Sequence, residues 1–362
     1  MLGLSLYSAA FYVVSIFLFL FASIKSLVRG WRMLDVNRAI EFFVVCLAIS
    51  VASYDISNRP SDVPGDTAVY INFFNDFTSG LENPFQTFEP GFIHLVKLFG
   101  YLGFDHHAFF YCITFAFLWS YYFLIKAVFG RDSSWVLFVF GAVLYYPFFF
   151  SLSANVVRQC LALCFINIAL CFIIKGRRGG SVLSSLFAVL FHKSSIVYFP
   201  FFVVQRLVLK SGVLGVVVLW VAVSLASYFK LFSLLVSVLF AVLSAYGLVI
   251  NYSEAEGIDY LTGFRLDFWA FSSISIMLIV TLKLLGGELH KREAYIFYIC
   301  AFLSCLHIAM FDVAYNDRFG IYSWIFYPLE LAYVMRAVSK NFYEGKLRNK
   351  GISPVAVQRR EV

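Results

Sequence analysis

Charge is scarce in this chain. Lysine, arginine, aspartate and glutamate make up 14% of its 362 residues, and apolar side chains make up 61%. A soluble domain is roughly one quarter charged, so this composition excludes an ordinary water-facing surface. Hydrocarbon tolerates such a chain, because lipid accepts apolar side chains on the outside as well as inside. Several motifs are missing too. There is no Gly-rich nucleotide loop, no Asp-x-Asp pair for a divalent metal, no His/Cys cluster with metal-ligand spacing and no Gly-x-Ser-x-Gly elbow. What remains is chemistry without metal or cofactor, on a substrate already activated. No charged run or Pro/Gly linker marks off a soluble part, so residues 1–362 read as a single integral membrane domain. The cysteines, Cys46, Cys112, Cys160, Cys164, Cys171, Cys300 and Cys305, all sit in apolar segments and read as small buried hydrophobes. The apolar N-terminus has neither a basic n-region nor a small-residue cleavage site and reads as a retained helix.

What is present is apolar segments. A span needs about 20 apolar residues. Eleven are predicted, near 4–24, 38–54, 108–129, 134–150, 155–174, 180–192, 194–210, 212–229, 266–286, 293–311 and 318–338. The class is therefore an all-α polytopic membrane protein. Lys25, Arg29, Arg32 and Arg38 place the first loop in the cytoplasm by the positive-inside rule. Lys126 and Arg131, then Lys175, Arg177 and Arg178, then Arg206 and Lys210, then Lys291 and Arg292, continue the series. The basic tail 339–362 ends it. These put the N-terminus outside and the C-terminus inside, and the net charge of +7 is spent on orientation rather than on nucleic acid. Segments 90–103 and 231–249 then should not cross; they read as interfacial or re-entrant helices on the outer face. The largest stretch without a helical span, 55–92, and a second segment, 231–265, become outer-face functional loops.

That sorting leaves isolated arginines on the wrong side for the rule. Arg158, Arg265 and Arg318 each begin a predicted span from the outer face. Helix N-termini offer partial positive charge and free N–H groups, and guanidinium adds a fork matched to phosphate oxygens. Together they suit a pyrophosphate; the plainer alternative pairs Arg265 with Asp267 or Asp259, and Arg318 with Asp317 or Asp312. Phe191-His192-Lys193-Ser194-Ser195 forms an outer turn in which His192 suits a general base and a serine suits a helix cap. His307, in mid-span, is set aside. Asp66 and Glu89 lie in an aromatic-rich loop (Tyr70, Phe73, Phe74, Phe77, Phe85, Phe88), an arrangement suited to stacking sugars and binding their hydroxyls. Asp66 or Thr67 equally suits a helix cap there.

Gly65-Asp66-Thr67-x-x-Tyr70, Phe88-Glu89-Pro90-Gly91-Phe92, Val157-Arg158-Gln159-x-Leu161-Ala162 and Phe191-His192-Lys193-Ser194-Ser195 occur in that order. Gly263-Phe264-Arg265 and Arg318-Phe319-Gly320 follow. This set, over roughly 55–325, resembles the EpsG-like family of membrane polysaccharide polymerases, which includes Wzy-type O-antigen and exopolysaccharide polymerases. The resemblance implies a bundle similar to the GT-C class in a bacterial inner membrane. It implies transfer of a glycan from undecaprenyl pyrophosphate to the non-reducing end of a lipid-linked repeat unit, on the periplasmic face, inverting and without metal. His192, Asp66 and Glu89 become the candidate catalytic residues, and Arg158, Arg265 and Arg318 the pyrophosphate ligands. Arg59, Tyr70, Gln159 and Lys193 become substrate contacts, although the family's arginine lies closer to its Gly-Asp-Thr than Arg59 does. A chain-length regulator of the Wzz type is the implied partner, beside the lipid-linked oligosaccharide and the bilayer. The other readings are an O-antigen ligase or another polyprenyl-phosphate glycosyltransferase, a transporter of anionic lipid or sugar, and a membrane scaffold.

Overall fold

In a computed structural model of the chain, residues 38–61, 65–81, 88–130, 132–233, 262–287 and 293–349 are described, with positions 13, 16, 238 and 289 besides. Every regular element among them is helical. In chain order they are α1 (Arg38–Ser57), α2 (Thr67–Thr78), α3 (Pro90–Tyr101), α4 (His106–Phe129), α5 (Ser133–Leu144), α6 (Pro147–Asn155), α7 (Val157–Ile174) and α8 (Arg178–Phe191). A 3-10 turn, Lys193–Tyr198, leads into α9 (Phe199–Tyr228). Then come α10 (Leu266–Ser272), α11 (Ile274–Leu284), α12 (Ala294–Ala309), α13 (Asp317–Trp324) and α14 (Tyr327–Asn349). The chain is an all-α polytopic membrane protein.

Among the described residues, α1, α4, α7 and Leu207–Tyr228 are long and apolar enough to cross a membrane, and two bent pairs raise the number from 4 to at most 6. The expected count of about eleven spans is not confirmed among the described residues. Segment 134–150 is broken between α5 and α6, which meet at 60°. Pro147 opens α6: it has no N–H to continue the ladder, and its ring disfavours helix at the residue before it. Segment 266–286 bends by 43° between α10 and α11. Segment 318–338 is divided between α13 and α14, with Pro328 in the first turn of the latter. The predicted boundary between 194–210 and 212–229 falls where α9 kinks, at Gly212, whose φ is 65°. Helices α8 and α12, of 14 and 16 residues, are short for a span. The predicted span 4–24 and nearly all of 231–261 lie outside the described residues.

The outer loop 55–92 is not irregular throughout. Its centre is α2, and α3 follows as a helix of 12 residues. At ~18 Å, α3 is too short to cross about 30 Å of hydrocarbon.

The described residues divide into two compact units, one comprising residues up to Ile196 with those from Met335 on, the other Val197–Val334. In the first, α7 packs on α8 and α4, and α4 packs on α1. The antiparallel pair α1 and α4 is pinned at both ends. At one end His107 Nδ1 lies 2.8 Å from the Ser57 carbonyl. At the other, buried Glu41 accepts from Tyr122 Oη at 2.8 Å and pairs with Lys126 Nζ at 3.0 Å. In the second unit α12 packs on α9, α13 and the bent pair α10 and α11. All seven cysteines are free; six are buried or half-buried, while Cys112 is exposed, because its position on α4 faces outward rather than into the packing.

Candidate active site

The first unit gathers four of the sequence motifs at one place. Glu89 is the residue before α3, and Pro90 supplies the first helical position, where a missing N–H costs nothing. Gly91 lets α3 lie against the end of α8: a β-carbon there would stand 2.7 Å from the Leu190 carbonyl oxygen. This approach delivers the Glu89 carboxylate to the turn after α8. Its Oε1 lies 3.2 Å from His192 Nδ1 and accepts the Lys193 main-chain N–H at 3.1 Å. Its Oε2 accepts from Arg158 Nη1 at 2.5 Å, from the second position of α7. One buried carboxylate thus bridges an arginine and a histidine.

Burial of Glu89 favours its neutral form, but the His192 hydrogen bond, the charges of Arg158 and His192 and the Lys193 N–H outweigh it. The carboxyl titrates at about 2, below the ordinary carboxylate range. An ionised carboxylate only accepts, so His192 carries a proton on Nδ1. The Ser195 hydroxyl donates to the His192 carbonyl at 2.8 Å and fixes the turn.

Arg158 is held on three sides. Besides Glu89, its Nε donates to Tyr70 Oη at 3.4 Å, and its guanidinium lies 4.3 Å from the centroid of the Phe88 ring. Its side chain keeps 17% exposure, and Nη2 makes no hydrogen bond to the described residues. Arg59 is the contrast. All three of its nitrogens are engaged, Nε to Thr67 Oγ1, Nη1 to the Ile56 carbonyl and Nη2 to the Ala154 carbonyl. It stacks on Phe110 at 4.3 Å and is 5% exposed. Burial lowers its pKa to about 10, so it stays charged near neutrality. Arg59, expected as a substrate contact, gives three of its five N–H donors to protein oxygens.

The Gly65-Asp66-Thr67 motif has a local reason. Gly65 has φ 117°, and a β-carbon there would stand 2.6 Å from Asn155 Cγ. The Thr67 hydroxyl lies 3.1 Å from the Ala154 carbonyl and 3.2 Å from Asn155 Oδ1. Asp66 is half-buried at the start of α2, its side chain making no cap bond. Tyr70, Phe73, Phe74 and Phe92 are buried and pack on one another and on Phe88 and Phe109. These rings form a core joining α2, α3 and α4. Gln159 is fully buried in α7; the Lys193 side chain is exposed.

The second unit carries the other two arginines. Arg265 precedes α10 and forms the expected local pair with Asp267, Nη2 to Oδ2 at 2.5 Å, while stacking 3.7 Å from the Phe268 centroid. Arg318 is the second residue of α13 and lies 4.7 Å from the Tyr315 centroid. All three arginines thus begin helices, as the sequence predicts. The turns bearing Arg265 and Arg318 meet at one acceptor, for the Phe311 carbonyl receives both Gly263 N–H at 2.8 Å and Asn316 Nδ2 at 3.0 Å. Sequence reading set His307 aside, yet it organises this unit. Its Nδ1 lies 2.7 Å from the Ser272 hydroxyl, which accepts from Trp324 Nε1 at 3.0 Å.

Apolar helices of spanning length, with a carboxylate-bridged arginine and histidine where several of their ends meet, define an integral membrane protein with a polar site. The EpsG family model matches residues 40–349, and the chain belongs to this family of Wzy-like polysaccharide polymerases. No curated protein and no solved structure matches it.

Proposed function

We propose that the chain polymerises glycan by transferring the growing chain from undecaprenyl pyrophosphate to the non-reducing end of a lipid-linked repeat unit, outside the inner membrane. The observation that carries this reading is the Arg158–Glu89–His192 assembly in a member of a polymerase family. The acceptor hydroxyl oxygen forms the new bond to the anomeric carbon as the bond from that carbon to the phosphate oxygen breaks, with inversion. The electron pair departs with the lipid diphosphate, and the hydroxyl proton passes to His192 Nε2.

Each residue has a part that its chemistry supports. Arg158, whose side chain keeps 17% exposure, meets the charge that grows on the diphosphate, and donors fixed beforehand stabilise such charge best. Glu89, titrating at about 2, is too weak a base to take a hydroxyl proton and instead orients His192. Asp66, half-buried, is the alternative base. The burial of His192 keeps water from competing with the sugar acceptor.

The test is complementation of a strain lacking the polymerase. Arg158→Ala is expected to abolish long-chain polymer while the protein remains in the membrane, since losing one oxyanion donor costs about hundredfold or more in rate. A ladder of wild-type length would overturn the phosphate role. Glycan attached to lipid A core would instead indicate a ligase.

A further inference from the structure

Arg59 lies two residues beyond α1 and joins three chain segments. Its Nη1 reaches back to the Ile56 carbonyl at 2.6 Å, in the last turn of α1. Its Nη2 reaches the Ala154 carbonyl at 2.9 Å, in the last turn of α6, where helical carbonyls have no partner of their own. Its Nε reaches the Thr67 hydroxyl at 3.1 Å, at the first position of α2. The same hydroxyl touches Ala154 and Asn155, so arginine, threonine and the α6 end form a closed set.

What these segments carry is the Arg158 support. Only three residues lie between Ala154 and Arg158, so fixing the end of α6 fixes the backbone from which Arg158 projects. One turn into α2 stands Tyr70, whose hydroxyl accepts from Arg158 Nε. Arg59 thereby holds both the root of Arg158 and one of its partners, with each of its nitrogens bonded to a protein oxygen.

We infer that Arg59 is a positioning residue for Arg158, fixing its guanidinium for a diphosphate that Arg59 itself never touches. This rests on the reading of Arg158 as the diphosphate ligand. It separates two arginines of one outer face by function: one coordinates, the other latches. A planar fork is needed at the latch because its three acceptors come from three directions; lysine reaches one or two of them.

The experiment uses the full chain in lipid nanodiscs, with the lipid-linked repeat unit extracted from cells lacking the polymerase, and inorganic pyrophosphate as competing ligand. Arg59→Lys is expected to lower kcat by about tenfold to hundredfold, the size expected of a small misplacement, and to weaken pyrophosphate inhibition only slightly. Thr67→Val should do the same, and the double variant should lose little more than either alone. Arg158→Lys, in contrast, should weaken pyrophosphate inhibition. Independently of activity, amide exchange in Arg59→Lys should quicken at 66–71 and 154–160 and stay unchanged in α4 and α8.

Loss of pyrophosphate inhibition in Arg59→Lys to the extent seen in Arg158→Lys would make Arg59 a ligand and overturn the inference. So would wild-type exchange at 66–71 and 154–160. A wild-type protein that neither polymerises the lipid-linked unit nor responds to pyrophosphate would overturn the polymerase reading instead; the exchange measurement still decides the latch.

Discussion

Glu89 has a measurable consequence at the scale of one residue. Its folded-state pKa of about 2 lies below the ordinary value of 4.5, so its contribution to stability is complete above the unfolded value and is lost as pH falls from about 4.5 through 2. The displacement corresponds to about 3 kcal/mol. Glu89→Gln keeps the shape but leaves the buried Arg158 charge without a counter-charge. Thermal unfolding in detergent should place Glu89→Gln below wild type at pH 7, with the gap closing between about pH 5 and 2. A gap independent of pH would mean that the pair is not ionised. Its polymerase activity should also fall by about hundredfold, since an amide no longer enforces the Nδ1–H form of His192. Much of this site was legible one residue at a time. Arg158, His192 and Glu89 stand out as polar groups at the ends of apolar segments. Their joining was not legible, because Glu89 lies 69 residues before its arginine and no periodicity links them. The surroundings of Arg59 were not legible for a related reason: an arginine in a polar loop gives no sign that three backbone and hydroxyl oxygens already accept from it.

At the scale of elements, composition and length located the uninterrupted helices α1, α4 and α7 within a few residues, because continuous apolar runs between polar turns leave few alternatives. Two kinds of element were less legible. Bent spans escaped because hydropathy averages over a window and cannot see that Pro147 turns the chain by 60° after α5. Helix α2 was legible only as one of two alternatives, because its loop looks polar whereas its rings bury themselves against α3 and α4. The close pair α3 and α8 yields a prediction. A methyl at Gly91 would meet the Leu190 carbonyl, and nothing there can move without shifting α8 backbone. Gly91→Ala should destabilise the protein by about 1–3 kcal/mol and pull Glu89 away from His192. Gly179→Ala, in α8 with no atom within 4 Å of the new carbon, should be neutral or slightly stabilising through helix propensity. Equal melting temperatures for the two variants would count against this packing.

At the scale of the molecule, the first unit has two unlike ends. At one, the last residues of α1, α6 and α8 and the first of α2, α4 and α7 surround Arg59, Arg158, Glu89 and His192. At the other, Arg38, Lys126, Lys175, Arg177 and Arg178 lie near the opposite termini of α1, α4, α7 and α8. Basic residues remain on the cytoplasmic side during insertion, so the site end is predicted to face outside. The prediction is made with single cysteines in a variant whose exposed Cys112 has been replaced. Ser61→Cys and Arg177→Cys both sit at exposed positions, at opposite ends. A membrane-impermeant maleimide added to spheroplasts should label Ser61→Cys at once and Arg177→Cys only after the membrane is opened. The reverse pattern would turn the site toward the cytoplasm. The Arg158–Glu89–His192 geometry would survive that outcome, but assembly of polymer outside the inner membrane would not.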